Sequence, residues 1–303
     1  MYNFLALLSG FIIAVVVTLN GQLTDVYANY NATFIIHLVA VVFSFIFLKL
    51  GKKKIFPSEK LPFWFYLGGA VGIFNALFQN AAFGKISLTS ILALALFGQT
   101  VLSIFIDNFG WFGMERRPFK KSSLLGFGFS IIGVVVMLDL SGGINPSAIL
   151  AMFFAFASGI TTVVSRSING RLAEYSGSMA GSFINHLVGL PLTLVLALVM
   201  PGNQISLLFQ QPSGDWWIYL GGLAGVLLIF VTNMAVMKIT ALRLSLLSFV
   251  GHVLLSVLLD LLLDSSFSRV TLYGGLIVAA GVGLNMLIDY LQEIRYKKTQ
   301  AER

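Results

Sequence analysis

Polar side chains recur at helical spacing inside two very apolar segments of the chain, where they could line a path for a solute. In one segment Gln99, Ser103 and Asp107 follow one another every four residues, so they share one slowly rotating helix face. A second segment carries a similar line of polar residues, namely Ser245, Ser248, His252, Ser256 and Asp260. Polar groups within a bilayer are energetically costly, so two such lines indicate a shared aqueous path in which either aspartate could bind solute or a proton. The alternative is that both aspartates lie near helix ends and meet lipid headgroups or basic neighbours.

Amide side chains form a second group of candidates for hydrogen bonds to a solute. Asn75 and Gln79 share a helix face, Asn80 lies on an adjoining strip, and Asn233 matches Asn80 in the second half. The glycines of the same segments favour close packing of helices instead.

Two histidines, His37 and His186, occupy matching positions in the two halves. Histidine titrates near neutral pH and could relay protons. A buried histidine that bonds a neighbouring carbonyl explains the repeated position equally well.

The motifs of other chemistries are missing from the sequence. The chain has no cysteine, which excludes disulfides and thiolate metal sites. It contains no P-loop and no H-E-x-x-H pair, and no serine in a G-x-S-x-G pattern. We therefore predict no catalytic residue, no metal site, no cofactor, and a protein that is not an enzyme.

The elements that position these residues are apolar segments long enough to cross a bilayer. Of the 303 residues 57% are hydrophobic and 10% are charged, whereas soluble domains carry about 25% charged residues. Segments with the roughly 20 apolar residues that a spanning helix needs occur near 3–20, 32–50, 62–84, 87–111, 122–140, 147–168, 179–200, 215–237, 240–263 and 270–290. We therefore expect an all-α membrane protein of ten transmembrane helices.

The basic residues predict the orientation of these helices. With a cytoplasmic N-terminus, all of the 19 Lys and Arg residues except Lys85 and Arg269 fall on the cytoplasmic side. The positive-inside rule therefore predicts a multi-pass protein of the inner membrane with both termini in the cytoplasm. It assigns Arg166 and Arg171 to a cytoplasmic loop, where they could alternatively attract an anionic group. The basic residues lie in short runs between apolar segments, which does not indicate a nucleic-acid partner.

The chain also repeats itself at an offset of about 150 residues, the length of one five-helix unit. The matched residues include Gly10 with Gly159, Asn20-Gly21 with Asn169-Gly170, His37 with His186, and Asp107 with Asp260. Each Asn-Gly pair favours a turn and predicts the end of the first helix of its half. Because five helices per unit invert the second copy, we expect residues 1–145 and 146–303 to form two inverted five-helix repeats. Such repeats are typical of alternating-access transporters.

Several motifs resemble those of a known transporter family. They are Leu8-Ser9-Gly10, Asn20-Gly21-Gln22-Leu23, Leu67-Gly68-Gly69, Gly98-Gln99 followed by Asp107 and Gly110, and Arg116-Arg117-Pro118. In these motifs the chain resembles the YdcZ-like branch of the drug/metabolite transporter superfamily, as a fused pair of five-helix units. The resemblance implies a cavity lined by helices 1, 3, 4, 6, 8 and 9, with the second helix of each half at the periphery. It implies no particular substrate, because members of the superfamily carry diverse metabolites and drugs.

We therefore expect a secondary transporter that moves a small metabolite or drug-like solute across the cytoplasmic membrane, with or without coupling to protons. The alternative is a translocase for lipids or lipid-linked intermediates. The expected partners are the solute and the lipid bilayer, and both a monomer and a homodimer remain compatible with the sequence.

Overall fold

The computed structural model describes residues 1–82, 85–86, 88–117, 123–138, 146–262 and 269–301. These residues form ten α-helices, as the ten apolar segments predict. In chain order they are α1 (Tyr2–Tyr27), α2 (Asn29–Leu50), α3 (Gly68–Ala82), α4 (Leu88–Phe109), α5 (Ser123–Met137), α6 (Pro146–Ser176), α7 (Ser178–Val199), α8 (Leu220–Ala235), α9 (Ala241–Leu262) and α10 (Arg269–Ala301). Short 3-10 helices at Phe63–Tyr66 and Trp216–Tyr219 precede α3 and α8.

Within the described residues, seven segments are helical, long and apolar enough to cross a membrane. They comprise α1, α2, α4, α6, α7, α9, and α8 together with the 3-10 helix before it; α5 and α10 contribute shorter apolar stretches. Large apolar side chains such as Val135, Leu198 and Val199 are exposed on the outer surface, as lipid solvation allows. A helix satisfies its own backbone groups, so it is the element that suits this environment.

Two predicted helix ends are wrong. Asn20-Gly21 and Asn169-Gly170 lie inside α1 and α6, which continue to Tyr27 and Ser176. The chain instead breaks at Ala28 and Gly177, which have positive φ angles of 60° and 85°. The Asn-Gly pairs serve helix packing: Asn20 and Asn169 each fill the space left by a glycine on a neighbouring helix. Continuing the helix keeps the backbone hydrogen bonds that a turn at membrane depth would break.

The helices of the first half pack mainly against those of the second. Helix α1 lies against α8 and α9, and α6 lies against α3 and α4. Helices α2 and α7 pack on each other, as do α5 and α10. The molecule is therefore built around contacts between its halves rather than around a separate core in each.

Glycines make the closest of these contacts possible. A Cβ atom on Gly10 would collide with the backbone of α9, and a Cβ atom on Gly159 would collide with the backbone of α4. The reverse also holds, because Gly251 of α9 meets the backbone of α1 and Gly98 of α4 meets the backbone of α6. Small residues on both partners let the helix backbones touch, which strengthens association in lipid.

Candidate solute cavity

A cavity of about 340 Å³ lies where seven of the helices meet, and we call it the central cavity. Helices α1, α2, α3, α6, α7, α8 and α9 all contribute to its wall. Its polar lining consists of Ser9, Asn20, His37, Asn75, Thr162, Ser165, Arg166, Asn169, Asn185, His186, Thr232, Asn233 and Ser248. Its volume is within the range of small-molecule sites, which are commonly a few hundred Å³.

Asn75 is one of the predicted candidates that line the central cavity. Its Nδ2 donates to the Ser158 carbonyl oxygen at 3.1 Å and also to the Thr162 hydroxyl, and both bonds join α3 to α6. Gln79, one turn further along, donates from Nε2 to Asn75 Oδ1 at 2.9 Å. Gln79 is itself exposed and is not among the lining residues. It therefore orients Asn75 without forming part of the wall.

Asn233 also lines the central cavity. Its Nδ2 donates to the Ser178 carbonyl oxygen at 3.2 Å, which ties α8 to the start of α7, while its Oδ1 is buried without a hydrogen-bond partner among the described residues. A buried amide oxygen without a partner is free to accept a hydrogen bond from a solute or a water molecule. The side chain of Asn80 lies outside the described residues.

In the polar line of α4, Ser103 and Asp107 meet α9, and none of Gln99, Ser103 and Asp107 is among the residues that line the central cavity. Their binding of a solute or a proton stays a prediction. Among the described residues of α4, none lines the central cavity. The Ser103 hydroxyl is fully buried and bonds the Ser245 hydroxyl at 3.0 Å. Helix α4 packs on α5, α6 and α9, and its buried polar residues Ser103 and Asp107 both bond partners on α9.

Asp107 caps the start of α9. Its Oδ1 accepts a hydrogen bond from the Ala241 amide at 2.6 Å, and its Oδ2 accepts one from the Leu242 amide at 2.9 Å. The first amides of a helix have no partner within the helix, and a carboxylate is well suited to them because of the helix dipole. The geometry thus gives Asp107 a role in joining α4 to α9.

The polar line of α9 meets the central cavity at one residue, Ser248. Its hydroxyl bonds the Ser9 hydroxyl of α1 at 2.7 Å, so the two serines close this side of the wall together. His252 and Ser256 are half-buried and are not among the lining residues. The side chain of Asp260 lies outside the described residues.

Two histidines from opposite halves meet at the central cavity. The rings of His37 and His186 pack edge to face with centroids 5.4 Å apart. His37 Nδ1 donates to the Thr33 carbonyl oxygen at 3.0 Å, whereas neither ring nitrogen of His186 has a partner in normal hydrogen-bonding geometry among the described residues. Helices α2 and α7 therefore belong to the wall, and the expectation that they are peripheral is wrong.

Arg166 lies within α6 and lines the central cavity, so its assignment to a cytoplasmic loop is wrong. One guanidinium nitrogen, Nη2, donates to the Ser245 hydroxyl at 2.6 Å. The Nε atom is buried and has no partner among the described residues. Position 166 lies inside the predicted segment 147–168, and α6 continues eight residues further to Ser176, so the count of basic residues in loops includes a residue of the helix.

Sequence reasoning missed most of the α6 and α7 wall, including Ser165, Asn169 and Asn185. These residues form a chain of contacts in which Asn169 Nδ2 donates to Asn185 Oδ1 at 2.8 Å and the Ser165 hydroxyl donates to the Gly68 carbonyl at 2.7 Å. Both histidines are candidates from the sequence, but their contact is not predicted, although the repeat could have indicated it because a residue near a two-fold axis meets its own counterpart. Among the described residues, no three His, Asp or Glu side chains come close enough to hold a metal ion.

Comparisons with known proteins give this chain a family and a related fold. The family model described as "Putative inner membrane exporter, YdcZ" matches residues 1–136 and 150–284. No curated protein matches the chain. A solved structure described as "Crystal structure of protein" shares 17% sequence identity with it and a TM-score of 0.70, covering 96% of this chain and 97% of its own. At this identity the likeness concerns the fold alone.

Proposed function

The chain belongs to the YdcZ family of inner membrane exporters, and from that premise we propose that it moves a small metabolite or drug-like solute by alternating access. The observation that carries the proposal is the central cavity, which is enclosed by helices of both halves. Polar side chains at membrane depth are costly unless they face water, a partner or a solute. The cavity gathers thirteen of them around a space of small-molecule size.

The proposed mechanism requires residues 1–145 and 146–303 to be inverted repeats. Three observations support this. The family matches the chain twice, once in each half. The contacts of α1 with α8 and α9 have counterparts in those of α6 with α3 and α4. Counterpart residues also behave alike, since the helix breaks at Ala28 and Gly177 are separated by the same offset as His37 and His186.

Filling the cavity tests the proposal. In Gly72→Leu and Gly225→Leu the new side chain enters the central cavity, because a Cβ at either glycine meets its nearest side-chain atom at 3.4 Å or 3.6 Å, without collision. Gly283→Leu is the matched control, since this glycine is exposed on α10 and no atom of the part of the chain that the structure describes lies within 4 Å of its Cβ position. Mass spectrometry of cells and medium, in a strain without the gene and in strains expressing each variant, would measure export of small solutes.

We expect at least one solute to be exported by the wild type and by Gly283→Leu, and retained by both cavity variants. Equal export by all strains would contradict the proposal. If cavity variants block the movement of a labelled lipid between leaflets and leave solutes unaffected, the lipid translocase is the correct function instead. Repeating solute flux in proteoliposomes with and without a pH gradient shows whether protons move in exchange.

A further inference from the structure

The charge of the central cavity identifies a class of substrate. Among the described residues that line it, Arg166 is the one with a formal charge at neutral pH. The histidines of the wall, His37 and His186, are the other titratable groups there. A cavity with a single guanidinium and neutral surroundings attracts anions and repels cations of similar shape.

The guanidinium of Arg166 is poorly satisfied by the protein. It carries five N–H donors, and the described residues supply one acceptor, the Ser245 hydroxyl. Arg117 pairs with Glu115 and Arg171 pairs with Glu174, and Arg166 takes part in neither of these ion pairs. A buried cation without a carboxylate in contact is unfavourable at membrane depth unless another anion completes the site.

The nearest candidate for an internal counterion is Asp107, which interacts with Arg166 electrostatically without forming an ion pair. Each Asp107 oxygen accepts one amide hydrogen at the start of α9, and no hydrogen bond among the described residues joins Asp107 to Arg166. Arg166 lines the cavity while making one hydrogen bond to the described residues, so its terminal N–H groups can meet a solute there. A planar guanidinium with free N–H groups matches a carboxylate in two-point geometry.

Apolar residues complete the wall. Ile13 and Val16 of α1, Ile36 of α2, and Leu228 and Ile229 of α8 line the same cavity. Polar residues beside Arg166 come from its own helix and include Thr162, Ser165 and Asn169. The wall therefore offers one charged region on α6, and apolar side chains on α1, α2 and α8 that alternate with neutral polar residues of the same helices.

The geometry points to a small organic monoanion, with a carboxylate bound by Arg166 and an apolar body against α1, α2 and α8, as the transported solute. This inference rests on the proposed function and adds the charge and shape of the substrate. One cation favours one negative charge, because a second charge would lack a counterion in the described wall. Neutral or cationic solutes of the same shape would leave the guanidinium unpaired.

Three aromatic probes of nearly equal shape test the inference: 2-naphthoate, 2-naphthamide and 2-naphthamidine, which carry a negative, neutral and positive group. Binding to the purified full-length protein is measured by titration calorimetry. We expect naphthoate to bind at least about tenfold more tightly than the amide, since one charge-assisted pair is worth about 1.4 kcal/mol or more. Arg166→Gln should abolish this preference, whereas Arg166→Lys should keep it with weaker binding.

Arg171→Gln is the matched control, because Arg171 lies five residues along the same helix and pairs with Glu174 outside the cavity. The ratio of naphthoate to naphthamide affinity is taken within each variant, so it does not depend on how much protein is folded. The inference is wrong if the amide or the amidine binds the wild type as tightly as naphthoate, if none of the three binds, or if Arg166→Gln keeps the preference. Gly72→Leu separates the two proposals: if it abolishes solute export while anions are not preferred, the transport function stands and the anion inference alone fails.

Discussion

Asp107 illustrates how a single side chain can stabilise the contact between two helices. Each carboxylate oxygen accepts one amide hydrogen at the start of α9, so the loss of either oxygen leaves one amide without its partner. In Asp107→Asn one acceptor becomes an NH2 group that faces a buried N–H donor. We expect the free energy of unfolding to fall by about 1–3 kcal/mol, the usual cost of a buried donor without a partner. A lower unfolding temperature of the purified protein would be the measured effect.

The matched control is Asp215→Asn, because Asp215 is exposed and does not cap a helix with its side chain. We expect its unfolding temperature to be unchanged. If Asp107→Asn melts like the wild type and yet loses transport, the carboxylate acts on the solute path and the structural role is wrong.

At this scale the sequence predicts the face of a helix that a polar residue occupies, but not the neighbour that this face meets. Asn75 and Asn233 line the cavity, whereas Ser103 and Asp107 lie on an equally regular polar face that meets α9. Spacing is the same in both cases. The difference comes from the order in which helices pack, and that order depends on contacts between residues more than 100 positions apart. Whether any of these side chains binds the solute stays a prediction.

The junction between α1 and α2 stores backbone strain at Ala28. Its φ of 60° and ψ of 162° belong to a region that is essentially restricted to glycine. The counterpart junction between α6 and α7 has Gly177 at φ 85° and ψ 153°. We expect Ala28→Gly to stabilise the protein by about 1–2 kcal/mol, and Gly177→Ala to destabilise it by a similar amount. Thermal unfolding of the two purified variants tests both expectations. The unfolding temperature should rise in Ala28→Gly and fall in Gly177→Ala.

Helix packing at Gly10 gives a second test on the scale of the elements. In Gly10→Ala the new methyl group would meet the α9 backbone, including the His252 nitrogen at 2.7 Å, so α1 and α9 must separate. We expect the free energy of unfolding to fall by about 1–3 kcal/mol, which is typical of an overpacked contact. Gly21→Ala on the same helix is the control, because no atom of the described residues lies within 4 Å of its Cβ position and alanine favours a helix. Equal unfolding temperatures for the two variants would contradict the close contact.

Apolar length predicts the existence of all ten helices, but the ends of α1 and α6 lie seven and eight residues beyond the predicted boundaries. The Asn-Gly pairs carry a local preference for turns. Packing opposes it, since Asn169 fits against Gly68 and Gly170 against Val236. A local signal is thus outweighed by contacts that exist only after the helices have assembled.

At the scale of the whole molecule, the proposed inverted repeats predict which side of the membrane each loop faces. The chain has no cysteine, so single cysteines can be introduced without interference. Lys53→Cys, after α2, and Gln211→Cys, after α7, both lie at exposed positions. We expect a membrane-impermeant thiol reagent to label Gln211→Cys from outside intact cells and Lys53→Cys after the cells are opened. Labelling of both from the same side would contradict the inverted repeats and the alternating-access mechanism with them.

The walls of the cavity were only partly predictable from family resemblance. Helices 1, 3, 6, 8 and 9 line it as expected, α4 does not, and α2 and α7 do. Helices α2 and α7 take part in the wall because they pack on each other and bring His37 to His186. For this chain, the family resemblance predicts the number of helices better than it predicts which side chains line the cavity.

The cross-packing of the halves bears on how the ribosome and the membrane insertion machinery must handle this chain. Helix α1 enters the bilayer first, but the partners of its Gly10 face, α8 and α9, are synthesised more than 200 residues later. Throughout that interval Gly10 and Ser9 lack the partners that they meet in the folded protein. Native packing of α1 therefore has to wait for the last third of translation, and a chain that ends before α8 lacks both helices that cover this face of α1.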